Sequence, residues 1–282
     1  MFSNTLVTTD DLAAHLGDPD WLVFDCRFTL SDTAAGRLAY DKAHIPGAHY
    51  VHLDNDLCAP IGPATGRHPL PDPAVFTERL CRWGVGMDKQ IVVYDDSFGS
   101  IACRLWWMLR WVGHPAVALL DGGYPKWARE KRPLDTAIPD TVDAACAGQA
   151  EPSRIATADD VLLASRTGNT LVFDARPDRR FTGEHDPVDR VPGHVPGALN
   201  VQFEDNLDLG GTFLPPAELR EHYLALMQGR PAGQIIHMCG SGVTACHNVL
   251  AMEIAGLPGS RLYPGSWSEW ITDPARPIAT GE

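Results

Sequence analysis

The sequence predicts an α/β protein built from two tandem domains of one kind, each a parallel sheet with helices on both faces. Three observations carry this expectation. The first is that the chain repeats itself. Trp21-Leu-Val-Phe-Asp-Cys-Arg27 returns as Thr170-Leu-Val-Phe-Asp-Ala-Arg176, and His44-Ile-Pro-Gly-Ala48 returns as His194-Val-Pro-Gly-Ala198. The run ending Ile91-Val-Val-Tyr94 matches Gln234-Ile-Ile-His237, and Leu120-Asp-Gly-Gly-Tyr-Pro-Lys-Trp127 matches Tyr263-Pro-Gly-Ser-Trp-Ser-Glu-Trp270. Four blocks in the same order, at offsets of 149, 150, 143 and 143 residues, mark duplicated units. The second is that short runs rich in Val and Ile alternate with longer helical patterns, the signature of parallel strands joined by helical crossovers. The third is that those runs are continuously apolar, as strands covered on both faces require.

In chain order, Leu22-Val-Phe24 reads as a first buried strand. A Gly/Pro-rich stretch over residues 53–73 follows, too long for an idle connection and therefore expected to reach a binding site. Ile91-Val-Val93 and Val117-Ala-Leu-Leu120 read as strands around a helix at residues 101–112. Trp106, Trp107, Met108 and Trp111 crowd that helix without a polar stripe, so it is expected to be buried. Residues 133–152 carry few large apolar side chains and read as the linker, giving domains at 1–134 and 153–282 joined by 135–152. The second domain repeats the pattern, with strands near 170–174, 234–238 and 261–263 and a helix over 245–255. His44 and His194 each open a His-x-Pro-Gly turn in their own copy, which points to folding rather than chemistry.

Composition excludes several functions. With 282 residues and 44% of them hydrophobic, the chain has apolar material for two cores. A formal net charge of -13 argues against nucleic acid as the main partner, while still allowing a small anionic substrate where a few arginines converge. No apolar run approaches a membrane span, and the acidic, polar N-terminus has no signal-like apolar core. The seven cysteines are odd in number and irregular in spacing, so no disulfide framework is expected and the chain reads as a reduced, cytoplasmic protein.

The sharpest chemical feature is Cys239-Gly-Ser-Gly-Val-Thr-Ala245, between a strand and a helix. A turn there can aim several backbone N–H groups at one point, at the positive end of the helix dipole, and stabilise a thiolate. Gly240 and Gly242 let the loop curl around an anion. Three other readings are weaker. Gly240-x-Gly242-x-x-Ala245 fits a dinucleotide fingerprint, but no acidic residue ends the following strand. A cysteine phosphatase needs an arginine where Ala245 stands. His237, Cys239, Cys246 and His247 do not have the spacing of a zinc site, so no metal is expected.

This loop, the duplicated His-(Ile/Val)-Pro-Gly-Ala motifs and Gly265-Ser-Trp-Ser-Glu-Trp270 together resemble the tandem rhodanese family over nearly the whole chain. Within it, Cys-Gly-Ser-Gly-Val-Thr is similar to the loop of 3-mercaptopyruvate sulfurtransferases. Thiosulfate sulfurtransferases usually place basic residues directly after the cysteine. The resemblance implies a sulfurtransferase with Cys239 as the persulfide-bearing nucleophile, and loop positions Gly240, Gly242, Val243 and Thr244 around the substrate. It implies Arg180 as the carboxylate arginine and Arg190 as a second one. It also implies a proton-handling set of Asp54, His68 and Ser241. No metal or organic cofactor is required; the partners implied are a small sulfur donor and a thiol acceptor such as thioredoxin. A thiosulfate:cyanide sulfurtransferase and a non-catalytic persulfide carrier remain open beside it. At the 143-residue offset Cys239 falls opposite Asp96, so the first copy resembles the family's inactive domain. Its loop, Asp96-Ser-Phe-Gly-Ser100, is expected not to turn its amides inward.

Overall fold

A computed structural model of the chain describes residues 2–141, 143–145 and 148–281. It divides into two compact units. The first comprises Met1–Ala59, Pro71–Glu151 and Leu209–Thr212; the second comprises Pro60–Leu70, Pro152–Asp208 and Phe213–Glu282.

The first unit runs β1 (Leu6–Val7), α1 (Thr9–Ala14), β2 (Trp21–Asp25), α2 (Ala35–Lys42), β3 (Ala48–Tyr50), α3 (Leu53–Asp56), α4 (Pro73–Arg82), β4 (Gln90–Tyr94), α5 (Ala102–Trp111), β5 (Val117–Leu120) and α6 (Gly123–Arg129). Its strands pair in parallel in the order β1-β5-β4-β2-β3. Alternate residues face opposite layers, as strand geometry dictates. Val23, Val92, Tyr94, Ala118 and Leu120 pack with Leu12 of α1 and Trp127 of α6. On the other side Phe24 meets Trp83, just past α4, and Trp106 of α5 donates from its indole N–H to the carbonyl of Val117 at 3.1 Å. The tryptophan-rich helix is buried along nearly its whole length, as its missing polar stripe predicts.

The second unit runs α7 (Ala158–Thr167), β6 (Leu171–Asp174), α8 (Asp178–Phe181), β7 (Leu199–Asn200), α9 (Pro216–Met227), β8 (Ile235–Met238), α10 (Ala245–Ile254), β9 (Arg261–Leu262) and α11 (Ser266–Trp270). The parallel order is β7-β6-β8-β9, and Ile155 bridges to Leu262 where β1 would stand. Val172, Ile236 and Met238 pack with Val161, Phe181, Trp267 and Trp270. Phe173 and His237 face the opposite layer, against Tyr223 of α9 and Met252 of α10.

The repeated Phe-Asp-x-Arg motif has one local cause in both copies. Arg27 folds back onto Asp25 (2.6 Å), and Arg176 onto Asp174 (2.7 Å); each guanidinium also reaches the carbonyl preceding or within the His-x-Pro-Gly turn, of Ala43 or Gly193. These buried pairs have both charges hydrogen-bonded, the condition under which such burial is tolerated. His44 and His194 also behave alike. His44 stacks on Tyr40 and His194 on Phe181, and each makes a backbone bridge to a distant residue, Asp135 or Ala279.

The segment expected as the linker is tied to the first unit at three described residues: Ala144, Gln149 and Glu151 donate their backbone N–H groups to the carbonyls of Cys81, Val112 and Trp111. The cysteine expectation needs one correction. Cys81 is disulfide-bonded, whereas Cys26, Cys58, Cys103, Cys239 and Cys246 carry no disulfide; Cys146 lies outside the described residues.

Strand register corrects the residue opposite Cys239. Asp25 pairs with Tyr94 and Asp174 with Met238, so the residue following each strand is Asp95 in one copy and Cys239 in the other. Tyr124 donates its N–H to the Asp95 carbonyl as Trp267 does to that of Cys239, and Phe98 (φ 58°) matches Gly242 (φ 75°). The counterpart of Cys239 is therefore Asp95, not Asp96. The 143-residue offset holds at the Trp127 and Trp270 blocks, but one residue is gained between there and the loop.

Candidate active site

β8 carries the chain into the loop, and α10 carries it away with eight buried residues at its start. Cys239 is 2% exposed, and its sulfur accepts a hydrogen bond from the Gly242 N–H at 3.2 Å. Gly242 is required on two counts. Its φ of +75° suits glycine, and a Cβ there would lie 2.2 Å from the Pro264 carbonyl oxygen. The Gly-Ser-Trp-Ser motif braces the loop from behind: Cys239 N–H donates to Ser266 Oγ, and the N–H groups of Trp267 and Ser268 donate to the carbonyls of Cys239 and Gly240. Val243 is buried in the loop, and Thr244 leads into α10.

The 60–70 segment belongs to this same unit and brings two functional side chains to the loop. Its seat is close: a Cβ on Gly66 would lie 2.4 Å from the Gly265 carbonyl oxygen, and Arg67 N–H donates to Ser268 Oγ at 3.0 Å. His68, only 4% exposed, places Nδ1 2.7 Å from Ser241 Oγ. The Gly/Pro-rich stretch thus reaches a site, as its length suggested.

Two arginines bring guanidinium donors to a loop that has no charged side chain of its own. A Cβ on Gly240 would lie 3.2 Å from Nη2 of Arg180 and 3.2 Å from Nη2 of Arg67. Arg180 donates through Nε to Asp186 (3.0 Å) and through Nη2 to Asp189 (2.6 Å), and Arg67 donates through Nη1 to the other oxygen of Asp189 (2.7 Å). Burial would raise the Asp186 carboxyl, but the N–H groups of Asp189 and Val188 and the Arg180 charge outweigh it and hold that carboxyl below its ordinary range.

Of the residues singled out in the sequence, Cys239, Gly240, Ser241, Gly242, Val243, Thr244, His68 and Arg180 are gathered here. Arg190 is not: it is exposed and donates to the Ile271 carbonyl. Asp54 lies in the first unit, half-buried near the start of α3, with its N–H bonded to His52 Nδ1. Arg67, Asp186 and Asp189 escaped the sequence reading. Only for Arg67 was there a signal, a cation directly before the candidate histidine.

The first copy's loop behaves differently from expectation. The Asp95 carboxylate accepts from the N–H groups of Ser97, Gly99, Ile101 and Ala102, at 2.8–2.9 Å. The amides do turn inward, and a carboxylate of the loop itself occupies them. Asp96 points out and is exposed.

A cysteine sulfur held by a glycine-loop amide, beside two guanidiniums and a serine–histidine pair, defines a thiol-based group-transfer site on a duplicated α/β fold. The chain belongs to the rhodanese family: the rhodanese-like domain matches residues 8–130 and again 157–273. Over 284 residues, covering all of both chains, it is 46% identical to a Pseudomonas aeruginosa protein named "Probable 3-mercaptopyruvate sulfurtransferase". It is 36% identical, over 98% of this chain and 97% of the other, to SseB of Mycobacterium tuberculosis, which carries the name of a thiosulfate sulfurtransferase. The crystal structure of SseA from Escherichia coli, described as a 3-mercaptopyruvate sulfotransferase, superposes with a TM-score of 0.79 at 34% identity, covering 93% of this chain and 98% of that one.

Proposed function

We propose that the protein is a sulfurtransferase that takes sulfur from 3-mercaptopyruvate onto Cys239 and passes it to a thiol. The observation that carries this reading is the pair of guanidiniums at Gly240, one residue from the nucleophile. They supply fork-shaped donors for a carboxylate where the loop itself has no charge.

In the first half-reaction the Cys239 thiolate attacks the donor sulfur. The carbon–sulfur bond breaks, its electron pair passes to C3 of the leaving enolate, and the former S–H proton ends on that carbon to give pyruvate. Cys239 is left as a persulfide. Arg180 and Arg67 hold the carboxylate, Ser241 offers its hydroxyl to the keto oxygen, and His68 steadies that hydroxyl and handles its proton. The loop amides, beginning with Gly242 N–H, stabilise charge on sulfur. Asp54 is retained in the proton-handling set on the strength of the motif. In the second half-reaction a thiolate takes the outer sulfur. A reduced dithiol of the thioredoxin type fits, because its second thiol releases sulfide as its disulfide forms; such thiols are maintained in the cytoplasm.

Mass spectrometry after addition of mercaptopyruvate tests the reading. One extra sulfur is expected on the peptide carrying Cys239, with pyruvate released in equal amount. Cys239→Ser is expected to abolish both, whereas Cys58→Ser retains them. Pyruvate release with sulfur on another cysteine would overturn the assignment. A thiosulfate:cyanide sulfurtransferase is the second reading, favoured by the 36% identity to a relative that carries the name of a thiosulfate sulfurtransferase. The ratio of kcat/KM for the two donors separates them.

A further inference from the structure

We infer that Asp189 sets the donor preference of this site, by holding the two arginines in place while cancelling part of their charge, so that a monoanionic donor is favoured over a dianionic one. The inference rests on the sulfurtransferase reading above. Asp189 does not face the nucleophile as a catalytic group; it acts through Arg67 and Arg180, as a positioning residue.

The Asp189 side chain is 3% exposed and its carboxylate bridges the two guanidiniums, with one oxygen 2.7 Å from Arg67 Nη1 and the other 2.6 Å from Arg180 Nη2. Asp186 takes Nε of Arg180 at 3.0 Å. The two cations therefore meet two carboxylates, and the group is formally neutral although both Nη2 atoms lie against Gly240. Arg176 also lies 3.7 Å from Asp186, but it brings its own partner Asp174 at 2.7 Å, so three cations meet three carboxylates and the balance holds. An incoming anion meets well-aimed N–H donors but little surplus positive potential.

That combination discriminates by charge. Fork-shaped donors reward a carboxylate through local hydrogen bonds. The cost of desolvating an ion rises steeply with its charge, and only surplus positive potential offsets it for a dianion. Mercaptopyruvate with its thiol protonated carries one charge, and thiosulfate carries two. The 184–190 segment, where an arginine was expected, thus contributes carboxylates that tune arginines arriving from elsewhere.

The test compares wild type with Asp189→Asn, Asp189→Ser, Asp189→Glu and Glu184→Gln in the full chain. Glu184 is exposed and pairs with Arg179 on the surface, so its replacement removes the same charge without touching the cluster. Two quantities are read: kcat/KM for thiosulfate relative to mercaptopyruvate, and the rate of Cys239 alkylation by iodoacetate relative to iodoacetamide. Both neutral replacements of Asp189 are expected to raise the donor ratio by about tenfold and the alkylation ratio by about threefold, the scale of one partly screened charge a guanidinium away. KM for mercaptopyruvate should rise in the same variants as the arginines lose their bridge. Asp189→Glu and Glu184→Gln should keep both ratios near wild type. A purely structural role would weaken both donors together and leave the ratios unmoved, and that result overturns the inference. Two neutral variants are made so that misfolding of one leaves the other to be read. Wild type failing to act on mercaptopyruvate would instead sink the proposed function, a separate and visible outcome.

Discussion

Arg180 presents its guanidinium to Gly240 while two of its nitrogens are already engaged by Asp186 and Asp189. What remains is a planar edge of fixed direction, which suits bidentate contact with a carboxylate. Lysine at this position would keep the charge and lose the fork. Losing one charge-assisted hydrogen bond costs about 1.5–3 kcal/mol, so Arg180→Lys is expected to lower kcat/KM for mercaptopyruvate by roughly one to two decades. Thiosulfate, which senses charge more than carboxylate geometry, should lose less. Steady-state kinetics with both donors at fixed ionic strength checks this; equal losses would mean that Arg180 contributes potential alone. The sequence made Arg180 and Cys239 legible because each sits in a motif with neighbours that identify it. It placed the second arginine at Arg190 because that segment is adjacent in sequence. The second guanidinium beside Gly240 is that of Arg67, paired with Asp189 across 122 residues of chain, a contact that periodicity does not record.

At the scale of elements, the two strand–loop–helix junctions are the same backbone closed around different side chains. In one, the Gly242 N–H meets the sulfur of Cys239; in the other, four N–H groups close on Asp95. The duplication was readable from four blocks, yet the loop correspondence slipped by one residue, because an insertion between the loop and the last strand is invisible to a constant offset. Hydrogen-bonded strand register has no such freedom. Asp95→Ala would leave buried N–H groups without a partner, and each unsatisfied buried donor costs about 1–3 kcal/mol. The expected loss of stability is at least about 2 kcal/mol, whereas Asp96→Ala, at an exposed side chain, should stay within about 0.5 kcal/mol. Urea-unfolding midpoints of the two variants check the order. A larger loss for Asp96→Ala would restore the original correspondence.

Folding of the molecule as a whole is linked to proton binding through a histidine that the chemistry does not use. His237 is fully buried in β8, with Nε2 3.2 Å from the Met252 sulfur and no hydrogen-bond partner at Nδ1 among the described residues. The matching residue of the first copy is Val93, so an apolar place in the sheet is filled here by an imidazole. Burial disfavours the charged ring and pulls its pKa from 6.5 down to about 3. In the unfolded chain the ring titrates at its ordinary value. Between those two values the unfolded state binds one proton more than the folded state, so stability is complete above about pH 6.5 and falls as the pH drops toward 3. The slope is about 1.4 kcal/mol per pH unit, or roughly 2 kcal/mol between pH 7 and pH 5. That window lies above the ordinary carboxylate range, so the many acids of this chain contribute little to the difference. His237→Leu removes the proton site and should flatten the dependence: its unfolding free energy should change by about 2 kcal/mol less than that of wild type between pH 7 and pH 5. Urea unfolding followed at both pH values gives the comparison directly. Parallel curves for the two proteins would mean that the ring takes up its proton without leaving the fold, and that β8 opens to water at this residue.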